Sequence, residues 1–401
     1  MDRWTMSEEL ANGGTTATKR RRWDRSDMEP RIAEILDRKL RVRSAGPYAA
    51  KTDREVAAML RRVFVANGFK GVGIERIERM TGGASKEQFA FTLKHDGCED
   101  GERLVLRMDP LESTAQTCRG REAEIQSAMF GVVPVAPVVY VDADGTTLGQ
   151  PGMITRFVHG VTKPSDIRGS SVSGIGSRYD AWASKLAPQF VDGLARIHRF
   201  DWRAHNLSYF QAPQAGTSQA ALRQVNWWSR VWWDDLVEPV PVVTLAERWL
   251  RENAPVCDRP VVVHGDYRIG NFMFEEPSGR FTAVLDWELA HIGDFHEDIA
   301  WVTQKLFGRR CEDGEFLVCA LLPRREFIEQ YEAKSGNRVD PERLRYYEIL
   351  NAYKCAVMDL GAAMRAAHQG NNHQDLVLTW LGSAGAVFLN QLVVFLAACR
   401  T

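Results

Sequence analysis

At 401 residues the chain is long enough for two lobes, each burying a core of its own. Its 51 lysines and arginines almost cancel its 52 aspartates and glutamates, so nothing in the charge balance supports nucleic acid as the main partner. Forty-five per cent hydrophobic and 26 per cent charged residues is an ordinary soluble globular composition.

In chain order, the first 28 residues are polar, with a Gly13-Gly14-Thr15-Thr16 run and a basic stretch from Lys19 to Arg22. They read as a flexible tail, with a solvated charge run or a partner contact as its alternatives. Trp23 and Asp24 follow with no apolar stretch behind them, which argues against a twin-arginine or secretory signal. Glu29 to Leu40 has the spacing of a short helix. From Val72 the pattern changes to β-type runs at Val72–Met80, Gln88–Lys94 and Arg103–Met108, separated by Gly or Asp clusters. A helix over Thr117–Phe130 and strands at Val138–Val141 and Met153–Val158 complete a small sheet-plus-helix lobe spanning 29–159.

Beyond Gly160 the chain is mainly helical, and residues 160–401 read as a second lobe. Helical spacing covers Tyr179–Phe200, Gln219–Leu236, Leu245–Asn253, Phe295–Leu306, Arg324–Lys334, Pro341–Ala367 and Asp375–Ala398. One β island interrupts them, at Val261–Phe274 and Arg280–Leu285. The apolar run Ala384–Cys399 is short and contains Asn390 and Gln391, so it reads as a buried terminal helix and not as a membrane span. Seven scattered cysteines, with no C-x-x-C pair and no zinc-type spacing, fit reduced thiols in a cytoplasmic protein.

The informative segment is VVVHGDYRIGNFMFEEPSGRFTAVLDWELAHIGDFHEDIAW, residues 261–301. Asp266 follows an apolar strand, Asn271 lies five residues on, and Asp286 stands at the end of a second apolar strand. Phosphoryl transfer needs a carboxylate to orient a hydroxyl and accept its proton, and hard oxygens to hold Mg²⁺ against phosphates. Asp266 suits the first task; Asn271 and Asp286 suit the second.

This segment closely resembles the aminoglycoside phosphotransferase-like branch of the protein-kinase-like fold, whose catalytic loop reads H-G-D-x-x-x-x-N. HGDYRIGN and LDWELAHIGDFHEDIAW are most similar to the kinase domains fused to some acyl-CoA dehydrogenases and to their stand-alone bacterial relatives. The resemblance implies an α+β, two-lobed fold, with a small β-rich N-lobe and a larger, mainly helical C-lobe. It implies Asp266 as catalytic base, Asn271 and Asp286 as Mg²⁺ ligands, and Asp298 as a buried brace for the catalytic loop. Arg268 stands where protein kinases often carry a lysine on the transferred phosphate; a surface arginine paired with a local carboxylate is the other reading. His264 reads as structural, as does His198.

In the N-lobe, Gly82, Gly83 and Ser85 lie in Thr81–Lys86, where glycines and a hydroxyl would let backbone N–H groups approach phosphate; a plain hairpin turn has the same look. Leu104–Met108 resembles the strand that carries the ATP-binding lysine in relatives, with Arg107 at the matching position. Arginine could bridge the α- and β-phosphates, and Glu122 in the next helix would pair with it, with Glu124 as the alternative. Met153–His159 should link the lobes.

Trp227, Trp228, Trp232 and Trp233 suggest core packing or a substrate wall, and Arg223 and Arg230 lie nearby. The expected cofactors are ATP and Mg²⁺. The expected partner is a small-molecule hydroxyl acceptor, a hydroxyacyl thioester by the family resemblance or an aminoglycoside or macrolide as the alternative, with no membrane and no nucleic acid. A nucleotide-binding pseudokinase is the competing class, and the oligomeric state stays open.

Overall fold

Residues 28–80, 86–165, 176 and 178–399 are described by a computed structural model. Two helices, α1 (Pro30–Val42) and α2 (Asp53–Ala66), precede the first sheet. The second was not among the expected elements, although its start is written in the sequence. Thr52 accepts from the Glu55 backbone at 3.3 Å while Glu55 accepts from the Thr52 backbone at 2.8 Å, a reciprocal cap that satisfies two otherwise orphaned donors.

The sheet holds β1 (Gly73–Arg79), β2 (Glu87–His95), β3 (Cys98–Met108), β4 (Val138–Asp142) and β5 (Gly152–Arg156), with α3 (Arg119–Ala128) between β3 and β4. Its order is β1-β2-β3-β5-β4, antiparallel throughout. Successive strand residues face opposite sides. Phe89, Phe91 and Leu93 on β2 and Leu104, Leu106 and Met108 on β3 therefore bury one common face against Met59, Leu60, Val63 and Phe64 of α2. Arg107, between two of these, is sent to the other side.

The second part begins with α4 (Ala183–Arg199), α5 (Gln219–Asp235) and α6 (Pro241–Glu252). The expected β island is two separate ladders. β6 (Val261–Val263) pairs with an unexpected strand, β9 (His291–Gly293), while β7 (Phe272–Phe274) pairs with β8 (Phe281–Val284). The loop 264–271 separates β6 from β7, so the single run Val261–Phe274 had to break there.

The helix α7 (His296–Val302) is shorter than its spacing suggested. A small sheet of β10 (Arg309–Arg310), β11 (Phe316–Val318) and β12 (Leu322–Pro323) follows, turned by Gly314 at φ +87°. Then come α8 (Arg324–Ser335), α9 (Pro341–Ala356), a π-helical segment Val357–Ala363, α10 (Met364–Gln369) and α11 (Asp375–Ala398).

The terminal helix is buried on one face only. Leu376, Trp380, Val387, Val393 and Val394 are exposed, and Leu376–Ala398 is long and apolar enough to cross a membrane by length and composition. Trp227, Trp228 and Trp232 join the large core of this part, while Trp233 is exposed.

Residues 28–52 tie the two parts together. Lys39 and Arg43 both pair with Asp235 at the end of α5, and Arg43 also reaches Glu112, just past β3, at 2.7 Å. Asp235 and Lys39 are almost wholly buried, so removing the carboxylate strands the Lys39 ammonium and leaves Arg43 with Glu112 alone. Asp235→Ala is expected to lower unfolding free energy by about 3–5 kcal/mol, measured by urea denaturation. A loss under about 1 kcal/mol would show that the cations find other partners.

Candidate active site

The loop 264–271 is fixed from below by one carboxylate. Asp298 of α7 accepts from the backbone N–H of His264 at 2.7 Å and of Gly265 at 2.9 Å. His198 Nε2 lies 3.0 Å from the same carboxylate, and its Nδ1 lies 2.6 Å from the Tyr331 hydroxyl. Burial would raise Asp298, but the His198 bond and the donors around it hold it below the ordinary carboxylate range.

Gly265 has φ +80°, and a Cβ there would sit 2.7 Å from the Leu289 carbonyl oxygen, so the turn requires glycine. His264 is fully buried and neutral. Its Nδ1 accepts from the Asp266 N–H at 3.2 Å, and its Nε2 faces the Leu285 carbonyl at 3.1 Å. Burial pushes its imidazole down to about 4.

Asp266 is 9% exposed, and both its oxygens are oriented. Oδ1 accepts from Arg268 Nε at 2.8 Å and Trp301 Nε1 at 2.9 Å; Oδ2 accepts from Asn271 Nδ2 at 2.6 Å. Burial raises its carboxyl above the ordinary range, Arg268 opposes this, and nearby Asp286 adds to it. Arg268 thus pairs with the local carboxylate and lies over the Phe307 ring. Lys354 of α9 donates to the Gly265 carbonyl at 3.0 Å, pinning the loop from the far side.

Asn271 spends its amide N–H on Asp266, to the backbone oxygen at 2.9 Å as well as to the side chain. Among the described residues nothing donates to its Oδ1. Asp286 follows β8 in the left-handed region, φ 67° and ψ 54°, a conformation that for a non-glycine residue points to a functional constraint. Its Oδ1 accepts from Arg107, and among the described residues its Oδ2 has no donor. The backbone N–H of Leu285 donates to the Asn271 carbonyl at 2.8 Å, holding the two segments side by side.

Arg107 Nη1 also donates to Glu122 Oε1 at 2.5 Å. Glu124 instead accepts from the Ser208 and Tyr209 backbones, so it belongs to the outside of α3. Around this pair lies a buried ionic cluster that sequence reasoning missed. Glu288 is 3.4 Å from Lys86 Nζ, 3.7 Å from Arg107 Nη2 and 3.0 Å from Arg119 Nη2. Burial works to raise Glu288, but these three cations hold it at about 2. Asp109 compensates Lys86 and Arg119 at 3.4 and 3.1 Å. The i+2 placement of Glu288 after Asp286 was the available signal. Lys354 gave none, because its role depends on how α9 docks.

Gly82, Gly83 and Ser85 lie outside the described residues. Arg230 pairs with Asp37 and Asp234, and Arg223 donates to the Gln211 carbonyl, so both serve packing between segments.

A hard divalent cation fits the donor set, because Asn271 Oδ1 and Asp286 Oδ2 are oxygens that no donor among the described residues uses. Among the described residues no cluster of three or more His, Cys, Asp or Glu side chains forms a closed cage.

A family model described as phosphotransferase enzyme family matches residues 76–347, more than half of the chain. Acyl-CoA dehydrogenase family member 11 of Gallus gallus is 30% identical over 212 residues, which is 52% of this chain and 26% of that protein. The mouse counterpart is 26% identical over 293 residues, 69% of this chain and 36% of that protein. The chain thus spans about a third or less of these relatives' lengths. A solved structure from Ralstonia eutropha JMP134, assigned as an aminoglycoside phosphotransferase, superposes with TM-score 0.57 at 21% identity, covering 83% of this chain and 98% of that one. Macrolide 2′-phosphotransferase type I superposes at 0.53 with 19% identity, covering 86% and 98%. At these identities the likeness establishes the fold, a protein-kinase-like two-lobed α+β arrangement.

His264 offers a pH test of the site's rigidity. Its folded value, about 4, lies below the ordinary 6.5, so acid favours the unfolded chain. Its contribution of about 3 kcal/mol is complete above pH 6.5 and is lost as pH falls toward 4. Urea denaturation of wild type and His264→Asn across that window should show the wild-type advantage shrinking with acid. A difference that stays constant with pH contradicts a neutral, loop-holding His264.

Proposed function

The chain belongs to the phosphotransferase enzyme family, and we propose that it transfers the γ-phosphate of ATP to a hydroxyl of a small molecule. The observation that carries this reading is Asp266: a buried carboxylate oriented on both oxygens, beside two hard oxygens that no donor among the described residues uses.

The acceptor hydroxyl would approach Asp266, which receives its proton as the oxygen attacks the γ-phosphorus. The bond between that phosphorus and the bridging oxygen breaks, and ADP leaves with the electron pair. Asn271 and Arg268 keep the carboxylate aimed, and burial raises its affinity for the proton toward what a base at neutral pH requires. Arg268, already beside the base, would lie where charge develops on the transferred group. Asn271 and Asp286 would hold Mg²⁺, which when bound neutralises phosphate charge.

Arg107 would bind the α- and β-phosphates. Its forked guanidinium already reaches Asp286 and Glu122, which would aim it at the phosphates beside the metal-binding carboxylate. Gly82, Gly83 and Ser85 would add backbone and hydroxyl donors to the phosphates, and Glu122 would keep Arg107 aimed from behind. Similarity to proteins named as acyl-CoA dehydrogenase family members supports a hydroxyacyl thioester as the acceptor class we favour. Seven free thiols among the described residues suit a reducing, cytoplasmic setting.

The direct experiment is ADP release from ATP·Mg²⁺ with hydroxyacyl thioesters, aminoglycosides, macrolides and amino alcohols as acceptors. Asp266→Asn should keep nucleotide affinity and slow transfer about a hundredfold or more. A wild-type rate in that variant would remove Asp266 from the role of base. ATP binding without acceptor-dependent release across the panel would favour a nucleotide-binding pseudokinase. Separately, Asp286→Ala should lose the Mg²⁺ dependence of nucleotide binding, read by calorimetry with and without chelator. Unchanged Mg²⁺-dependent binding would rule Asp286 out as a metal ligand.

A further inference from the structure

Beyond the loop 264–271, a nearly buried carboxyl without a partner among the described residues points to a second part of the site. Asp359 lies in the π-helical segment Val357–Ala363 and is 8% exposed. Such interruptions of an α-helix recur at functional sites because they redirect side chains. Among the described residues no donor or cation meets its carboxyl, and burial alone pushes it up to about 8. Buried polar groups are almost always partnered, so an orphaned acid needs a reason.

Its neighbours lead back to the chemistry. Cys355 lies one helical turn earlier, and its buried thiol feels both Asp359 and Asp266. Gln304 Nε2 donates to Cys355 Sγ at 3.8 Å, and among the described residues the fully buried Gln304 Oε1 has no partner. Gln304 itself stands three residues after Trp301, whose indole holds Asp266, and its backbone bonds to the Trp301 carbonyl at 3.2 Å. Lys354, next to Cys355, grips the Gly265 carbonyl. One wall therefore runs from the base through Gln304 and Cys355 to Asp359. Gly385 of α11 closes behind it, where a Cβ would lie 3.4 Å from that of Asp359.

The Asp359 carboxyl presents a hydrogen-bond acceptor, and among the described residues no protein donor faces it. We infer that Asp359 recognises the phosphate acceptor, taking an N–H or O–H donor on the same molecule whose hydroxyl reaches Asp266. This rests on the phosphotransferase reading and adds a requirement to it: the acceptor carries at least one hydrogen-bond donor besides the hydroxyl that is phosphorylated. An amino alcohol meets the requirement with its ammonium, and a hydroxyacyl thioester with the amide N–H groups of its carrier arm. A simple alcohol does not meet it.

The test compares wild type with Asp359→Asn and Asp359→Leu. Calorimetry on the ADP·Mg²⁺ complex uses ethanolamine, 3-hydroxybutyryl-coenzyme A and 1-butanol as probes. At least one donor-bearing probe should bind wild type about tenfold or more tighter than 1-butanol, and Asp359→Leu should erase most of that margin. No margin in wild type, or the same margin in the variant, overturns the inference.

A second readout needs no ligand. Because the carboxyl is unsatisfied, Asp359→Leu should melt about 2 °C or more above wild type at pH 8. Ionisation of the folded carboxyl is penalised from its ordinary value of 3.8 up to about 8, so the advantage of both variants should grow from pH 5 to pH 8. Lower melting temperatures in both variants would show that Asp359 serves packing, which also overturns the inference. The kinase reading fails on different evidence, namely loss of nucleotide binding or an Asp266→Asn variant that transfers phosphate normally.

Discussion

Asp298 has no exposed surface, yet its environment favours the charged form, and both its oxygens are consumed in holding the turn His264-Gly265. A buried anion is tolerated only when donors surround it. Here two backbone N–H groups and His198 do so, and Tyr331 and Asn337 extend the chain of bonds to α8 and the turn after it. The loop is therefore bolted to the helical core before any side chain of the site is considered. Orientation of Asp266, the glycine-only turn beside it and the neutral His264 all follow from that anchor.

Above the loop, charge is arranged by mutual neutralisation. Three cations, Lys86, Arg107 and Arg119, converge on Glu288, with Asp109 and Glu122 completing the balance. No member of such a cluster can be removed alone without stranding a partner. Arg107 differs from the others because it also reaches Asp286, which is only partly buried. It is the one whose position spans the rigid cluster and the open side of the site, and a forked guanidinium can serve both at once where an ammonium could not.

The two parts of the chain are also joined at a distance from the chemistry. Arg43 bridges Asp235 on α5 and Glu112 past β3, while Asn371 and Asn372 bond to the Arg43 and Glu112 carbonyls. This strap limits how far the sheet can move relative to the helices, and it rests on the same residues that bury the amino-terminal helix. The wall from Trp301 to Asp359 lies on the helical side, so its placement depends on α9 docking against the loop through Lys354.

Spacing alone made Asp266, Asn271 and Asp286 legible, because loop and hairpin chemistry is local: a glycine at positive φ, apolar runs on either side, and a fixed separation between oxygens. The five strands of the first sheet and most helices were legible too, since alternation and helical periodicity report which face is buried. Glu122 is the residue expected beside Arg107, and the structure removes the alternative, Glu124, because that side chain faces Ser208 and Tyr209 on another side of α3. The split β island, the pairing of Lys86 with Glu288, the grip of Lys354 and the isolation of Asp359 were decided by tertiary structure alone. Each depends on segments far apart in the chain being pressed together in a dry interior, where a charge acquires partners, or lacks them, for reasons no local pattern records.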